Sequence, residues 1–185
     1  MEETLRLPPN SEEAELCVLG SILIDNDAVL GVSEFLRPEH FYNSNYGKVY
    51  QAMMDLYEDR MPIDIVTVSE KLNEGKMLKK IGGKAFLTRL AGEVPTAANV
   101  ESYGRIIKAL SAKRELISAA GRISEKAFDS TLPSDVLLDM AEQEIFALSQ
   151  RHLKSVPSSL KEVLTASFDR LDELQKMGTG LRGVP

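Results

Sequence analysis

A proline-free stretch between Pro95 and Pro133 constrains the fold of this chain more than any other feature. Proline disrupts helix interiors, so its absence leaves room for one long helix that Thr96 caps and Ala97 opens. The apolar residues of this stretch fall on two stripes. One consists of Ile106, Leu110 and Ile117, and the other of Leu116, Ala120, Ile123 and Ala127. A helix with two apolar stripes buries both, so we predict that it packs against a second helix and against a further surface.

A second amphipathic helix follows a turn at residues 129–133. Its apolar face is formed by Leu137, Met140, Ala141, Ile145 and Leu148. Two consecutive helices joined by a short turn pack as a hairpin. We therefore predict a long helical hairpin over residues 97–150.

The residues before the hairpin, 11–96, are predicted to form a compact helical head. Pro8 and Pro9 close an extended leader, residues 1–10, and Asn10 or Ser11 can then cap a helix. That helix begins with Glu12 and Glu13, whose charges favour a helix N-terminus. A second helix is predicted over residues 46–60, where apolar side chains recur at spacings of three and four.

Two predictions compete for the segment IDIVTVSEKL. Residues 63–68 are dense in β-branched side chains, which are typical of a strand. The same segment also fits a helix capped by Asp64, with Val66, Ser69 and Leu72 continuing its pattern. Local propensity favours the strand.

The composition changes after the hairpin. Residues 151–158 are polar and contain Pro157, which indicates a linker. Ser159 and Glu162 then form a capping box that opens a separate linker helix, residues 159–177. Its apolar face consists of Leu160, Val163, Leu164, Phe168, Leu171 and Leu174. Residues 178–185 contain three glycines and are predicted to be flexible.

The segment IGGKAF is similar to a phosphate-binding loop but lacks the residues that such a loop requires. Lys84 is followed by Ala85 in place of the Ser or Thr that holds magnesium, and no glycine stands at the upstream position. We interpret Gly82 and Gly83 as a turn before a short helix. Cys17 is expected to be a buried structural thiol, and His40 a surface side chain. We therefore assign no catalytic, nucleotide-binding or metal site, and no cofactor, to this chain.

Charge and composition narrow the classes of partner. The formal net charge of −6 argues against a broad basic face for nucleic acid on the isolated chain. One cysteine excludes an internal disulfide and suits the cytoplasm. No apolar run is long enough for a membrane span, and the N-terminus does not have the pattern of a signal peptide.

Several stretches, taken in order, resemble the N-terminal domain of bacterial replicative DNA helicases, the DnaB family. They are LPPNSEEAELCVLGSIL, HFYNSNYGKVYQAM, PIDIVTVSEKL, IGGKAFLTRL and EVPTAANVESYGRII. The C-terminal GTGLRGVP is similar to the segment that precedes the ATPase domain of that family. The resemblance implies an all-α fold: a compact helical head, a long helical hairpin and a separate linker helix. It also implies that IDIVTVSEKL is a helix.

The same resemblance implies the partners and the parent activity. In the family this domain forms dimers within a hexameric ring, arranged as a trimer of dimers around single-stranded DNA, and docks primase. A helicase loader, ATP and magnesium are implied for the parent enzyme, whose motor domain is absent here. Four positions match the family's primase-contact positions: Glu13, Phe86, Ile117 and Ile123. The alternative is that Phe86, Ile117 and Ile123 are simply core residues.

Two functions remain open on the sequence alone. The first is an oligomerisation and primase-docking domain of a helicase, with the linker-helix face packed on a neighbouring motor domain. The second is a free-standing helical adaptor without a motor.

Overall fold

Residues 7–153, the part of the chain that the computed structural model describes, fold into α-helices joined by short turns. The helices are α1 (Glu12–Ile24), α2 (Leu30–Ser33), α3 (Ser44–Glu58), α4 (Ile65–Glu74), α5 (Gly83–Glu93), α6 (Val100–Ala127) and α7 (Ser134–Leu153), with 3-10 turns at Asn26–Val29 and Pro38–His40. No strand occurs within this range, so the all-α prediction is confirmed. None of the helices described is long and apolar enough to cross a membrane.

Polar side chains set the starts of α1 and α4. Ser11 Oγ accepts a hydrogen bond from the Ala14 N–H at 3.3 Å, which decides between the two predicted caps. Asp64 Oδ1 accepts from the N–H groups of Val66 and Thr67 at 2.7 and 2.9 Å. Thr67 Oγ1 in turn accepts from the Asp64 N–H at 3.0 Å.

The strand predicted from local propensity for residues 63–68 is therefore wrong, and the helix implied by the resemblance is confirmed. The Asp64 capping box starts α4, and burial of Val68 and Leu72 against the head holds it in place. These interactions outweigh the β-propensity of Ile65 and Val66, which amounts to at most about 1 kcal/mol per residue.

The predicted turn at the paired glycines is confirmed. Gly82 has a φ of +100° and Gly83 has a φ of +70°. Residues other than glycine rarely adopt this left-handed backbone region. Helix α5 begins at Gly83, so Lys84 lies in its first turn.

The core of the head lies where α1 meets α3, α5 and α6. Its fully buried side chains include Leu19, Ile22, Val49, Met53, Leu87 and Ile107. At Gly20 of α1, an added Cβ would lie 2.6 Å from the carbonyl oxygen of Leu90 in α5. Helices α1 and α5 can therefore pack this closely only with glycine at position 20.

Helix α6 differs from its prediction in its start and in its buried face. It begins at Val100, and Thr96 instead accepts a hydrogen bond from the Ala98 N–H in the preceding turn. The buried residues of α6 are Val100, Gly104, Ile107, Ser111 and Ala119, which belong to neither predicted stripe. Three of these five residues, Gly104, Ser111 and Ala119, are small and stand out less in the sequence than the Ile and Leu residues of the stripes.

Helices α6 and α7 lie alongside each other as the predicted hairpin. Arg122 and Glu144 form an ion pair between them, with Nη2 and Oε2 2.7 Å apart and a second hydrogen bond of 3.3 Å from Nε to Oε1. Between the helices, Asp129 Oδ1 accepts from the N–H of Thr131 at 2.9 Å and closes the turn. Helix α7 runs to Leu153, three residues beyond the predicted end of the hairpin.

The chain divides into two units, Met1–Ile145 and Phe146–Pro185. The first contains the head, α6 and most of α7. Of the second, only the end of α7 is described. The predicted linker helix, residues 159–177, lies outside the described residues.

Candidate partner-binding surface

Glu13 lies on the exposed side of α1, whereas its neighbour Glu15 points into the head. Glu15 is 2% exposed, and its carboxylate accepts from the backbone N–H groups of Tyr42 and Asn43 at 2.6 and 3.2 Å. Burial raises the pKa of Glu15, and these two N–H groups together with the charge of Arg114 oppose that rise. Glu15 therefore ties α1 to the start of α3 and leaves Glu13 facing solvent.

Phe86 is a core residue, as the alternative interpretation proposed for it. Its side chain is 8% exposed and stacks on Tyr46 of α3. The Tyr46 hydroxyl donates to Glu12 Oε1 at 2.8 Å, and burial, followed by this hydrogen bond, raises the pKa of Tyr46 to about 12. On the rim of this cluster, the Arg89 guanidinium lies 5.6 Å from the centre of the Phe86 ring. Phe86 therefore packs α5 against α3.

Ile117 and Ile123 lie on different faces of α6. Ile117 is 58% exposed, so it is not a core residue in this chain. Ile123 is half-buried and follows Arg122, whose side chain reaches α7. The structure therefore places the four predicted contact residues in three settings: Glu13 and Ile117 exposed, Ile123 half-buried in the hairpin, and Phe86 in the core.

Besides Ile117, two other large apolar side chains of α6 are exposed. Ile106 is 44% exposed and Leu116 is 50% exposed. On α7, Leu138 and Ile145 are also exposed. We call these five residues, Ile106, Leu116, Ile117, Leu138 and Ile145, the hairpin apolar surface. Large apolar side chains that stay exposed on both helices of a hairpin are of the kind that protein association buries.

Arg114 is a structural residue that the sequence analysis missed. Its guanidinium donates to the carbonyl oxygens of Pro9 and His40, at 2.8 and 2.5 Å, and lies 5.7 Å from the centre of the Tyr42 ring. It thereby fixes α6 to the leader and to the start of α3. The sequence signal for this role was an arginine in the middle of a long predicted helix with two apolar stripes.

Two smaller predictions need correction. His40 is half-buried, its Nδ1 accepts from the Arg37 N–H at 3.0 Å, and burial lowers its pKa. Cys17 was predicted to be fully buried but is half-buried. Burial raises the pKa of its thiol, and the charges of Glu13 and Glu93 raise it further. The six residues of the predicted linker-helix face, from Leu160 to Leu174, lie outside the described residues.

The order of these helices and the sequences that form them match a known family. The model of the DnaB-like helicase N-terminal domain matches residues 7–109. The chain belongs to this family. The match covers the whole head and the first part of α6, so it includes Glu13 and Phe86.

Relatives and solved structures agree with this membership. The replicative DNA helicase DnaB of Geobacillus stearothermophilus is 38% identical over 97% of this chain, which spans 40% of that protein. The crystal structure of the N-terminal domain of DnaB helicase from Mycobacterium tuberculosis matches with a TM-score of 0.72 and 36% identity, over 77% of this chain and 99% of that one.

A third similar structure is the N-terminal domain of DnaB helicase from Helicobacter pylori, described together with its interactions with primase. It matches with a TM-score of 0.55 and 30% identity, over 62% of this chain and 89% of that chain.

Proposed function

We propose that this chain is the N-terminal oligomerisation and primase-docking domain of a hexameric replicative DNA helicase, acting in DNA replication and primosome assembly. The observation that carries the proposal is the hairpin apolar surface, which the described part of the chain leaves exposed to solvent. Membership of the DnaB-like N-terminal domain family supports it. The Helicobacter pylori domain, whose structure was described with its primase interactions, supports the choice of partner.

Self-association is the first role of the hairpin apolar surface. Burying a Leu or Ile side chain contributes about 1.5–3 kcal/mol, so a few such residues from each subunit can offset the cost of association. We propose that hairpins pair into dimers, and that three dimers form the collar of a ring around single-stranded DNA.

Primase docking is the second role. Glu13 is exposed and can contact a partner directly, whereas Ile117 acts through the pairing of the hairpins. Phe86 supports the surface from beneath through its stack on Tyr46. Ile123, which is half-buried on α6, also supports the docking surface without contacting primase directly.

The catalytic activity belongs to the parent protein. ATP hydrolysis with magnesium, and strand unwinding, are proposed for a C-terminal motor domain, which a helicase loader places on DNA in the cytoplasm. Residues 159–177 would form the connecting helix, with the face from Leu160 to Leu174 packed on the motor domain of a neighbouring subunit.

Calorimetric titration of the 185-residue chain with its cognate primase tests the docking role. We expect Glu13→Lys and Ile117→Asp each to weaken binding about tenfold, because the first reverses a charge at the docking surface and the second separates the paired hairpins that carry it. Leu30→Asp is the matched control, since Leu30 is 56% exposed but lies on α2 of the head. Equal primase affinity for all three variants and the unchanged chain would exclude this surface.

A further inference from the structure

Phe35 lies against α6 close to two cations. The Arg105 Cζ lies 5.4 Å and the Lys108 Nζ 5.6 Å from the centre of its ring. Gly104 makes this approach possible, because a Cβ at that position would lie 3.1 Å from Phe35 Cζ. The ring is half-buried, so part of it faces solvent beside the two charged groups.

Arg37 adds a third positive charge to this cluster. Its guanidinium donates to the carbonyl oxygens of Ser33 and Leu36 at 2.6 and 2.8 Å. Backbone carbonyls carry no net charge, so these bonds fix the side chain without neutralising it. Burial lowers the pKa of Lys108, and the charges of Arg37 and Arg105 lower it further.

The cluster is only partly neutralised by acidic side chains. Arg105 pairs with Glu101 at 2.6 Å, but their side chains are 69% and 55% exposed, and ion pairs of this kind contribute little and exchange readily. Among the ion pairs formed within residues 7–151, none includes Arg37 or Lys108. A chain with a net charge of −6 thus concentrates positive charge at one place.

We propose that Phe35, Arg37, Arg105 and Lys108 form a docking surface for an acidic segment of a partner protein. A carboxylate of that segment binds the guanidinium and ammonium groups, and an adjacent apolar side chain contacts the exposed part of Phe35. Arginine and lysine recognise carboxylates through charge-assisted hydrogen bonds. The surface is separate from the hairpin apolar surface and does not depend on the function proposed above.

The surroundings of the cluster favour an acidic peptide over nucleic acid. Glu34 and Glu39 flank Arg37 in the sequence, and Glu101 lies beside Arg105. A nucleic-acid strand carries a charge at every phosphate and would be repelled by these carboxylates on either side of the cluster. A short acidic segment can place its few carboxylates on the cations without running past the flanking acidic side chains.

Fluorescence anisotropy on the 185-residue chain tests this surface. The probe is a labelled synthetic peptide with glutamates flanking a leucine. We expect the double variant Arg105→Gln/Lys108→Gln to bind it about tenfold more weakly, because it removes the two cations that lie against the Phe35 ring. Lys113→Gln/Lys126→Gln is the matched control, because it removes the same charge from the same helix and should bind like the unchanged chain. A peptide with glutamine in place of glutamate should not bind.

Each other outcome overturns the proposal. Equal weakening by the two double variants would mean that net charge, not this cluster, attracts the peptide. An absence of saturable binding to the unchanged chain would exclude the surface. Tighter binding of an oligothymidylate that is lost in the Arg105→Gln/Lys108→Gln variant would assign the cluster to nucleic acid. The single variant Arg105→Gln tests the role of the cluster without risk to folding, because the Arg105 side chain is 69% exposed.

Discussion

The ring of Phe86 stacks on the ring of Tyr46, with centroids 5.6 Å apart and planes inclined by 12°. This contact joins α5 to α3, and the hydrogen bond from Tyr46 to Glu12 extends it to α1. A position that resembles a primase contact is therefore part of the packing that holds the first helix of the head in place. Substitution of Phe86 therefore changes a partner surface only by changing the packing beneath that surface.

We predict that Phe86→Ala destabilises the chain by about 3–5 kcal/mol, because it leaves a cavity between α5 and α3. Urea unfolding followed by circular dichroism measures the effect. Phe128→Ala is the control, since Phe128 is 87% exposed and its substitution should change stability by at most about 0.5 kcal/mol. Similar free energies of unfolding for the two variants would show that Phe86 is not a packing residue.

Gly104 and Gly121 of α6 are predicted to respond in opposite directions to alanine. At Gly104 the added Cβ would lie 2.9 Å from Val32 Cγ1, and Val32 is fully buried and cannot move away. Overpacking of this kind costs about 1–3 kcal/mol, which exceeds the gain in helix propensity of about 1 kcal/mol.

At Gly121 no atom lies within 4 Å of the added Cβ, so only the gain in helix propensity remains. We expect Gly121→Ala to raise the melting temperature and Gly104→Ala to lower it. A rise for both variants would mean that α6 is not packed on α2 and Phe35 as described.

The cap of α4 predicts a dependence of stability on pH. Hydrogen bonds from the backbone N–H groups of Thr67 and Val66 hold the pKa of Asp64 below its usual range. A carboxyl group with a lowered folded-state pKa stabilises the fold above its unfolded pKa of about 3.9, and this contribution is lost as the pH falls through the folded-state value.

We expect Asp64→Ala to cost about 1 kcal/mol at neutral pH and progressively less below about pH 4. Asp64→Asn keeps an acceptor oxygen at the cap without the titrating group, so its stability relative to Asp64→Ala should not change across this range. Thermal melts from neutral pH downwards measure both differences. A difference in stability between the unchanged chain and Asp64→Ala that stays constant with pH would contradict the lowered pKa of Asp64.

Local sequence signals were sufficient where the structure depends on neighbouring residues. The Ser11 cap, the turn at Gly82 and Gly83, and the two helices of the hairpin all follow from residues within one or two turns of each other. Propensity failed at Ile65 and Val66, because the Asp64 capping box and the packing of α4 outweigh it.

Long-range polar contacts could not be predicted from the sequence. Glu15 and Tyr42 are 27 residues apart, and Arg114 and Pro9 are 105 residues apart. Neither pair has a spacing that a helix or turn would produce. The cluster around Phe35 was missed for the same reason, since it joins the loop after α2 to α6.

Light scattering of the 185-residue chain, compared with Ile117→Asp, tests the role of the hairpin most directly. The monomer mass is 20.5 kDa. We predict a larger mass for the unchanged chain and for Leu30→Asp, and a shift toward the monomer for Ile117→Asp. Ile117 is preferred to Ile123 for this test, because Ile123 is half-buried and its substitution would also disturb the pairing of α6 with α7. An unchanged mass for Ile117→Asp, or a monomeric unchanged chain, would contradict the hairpin interface.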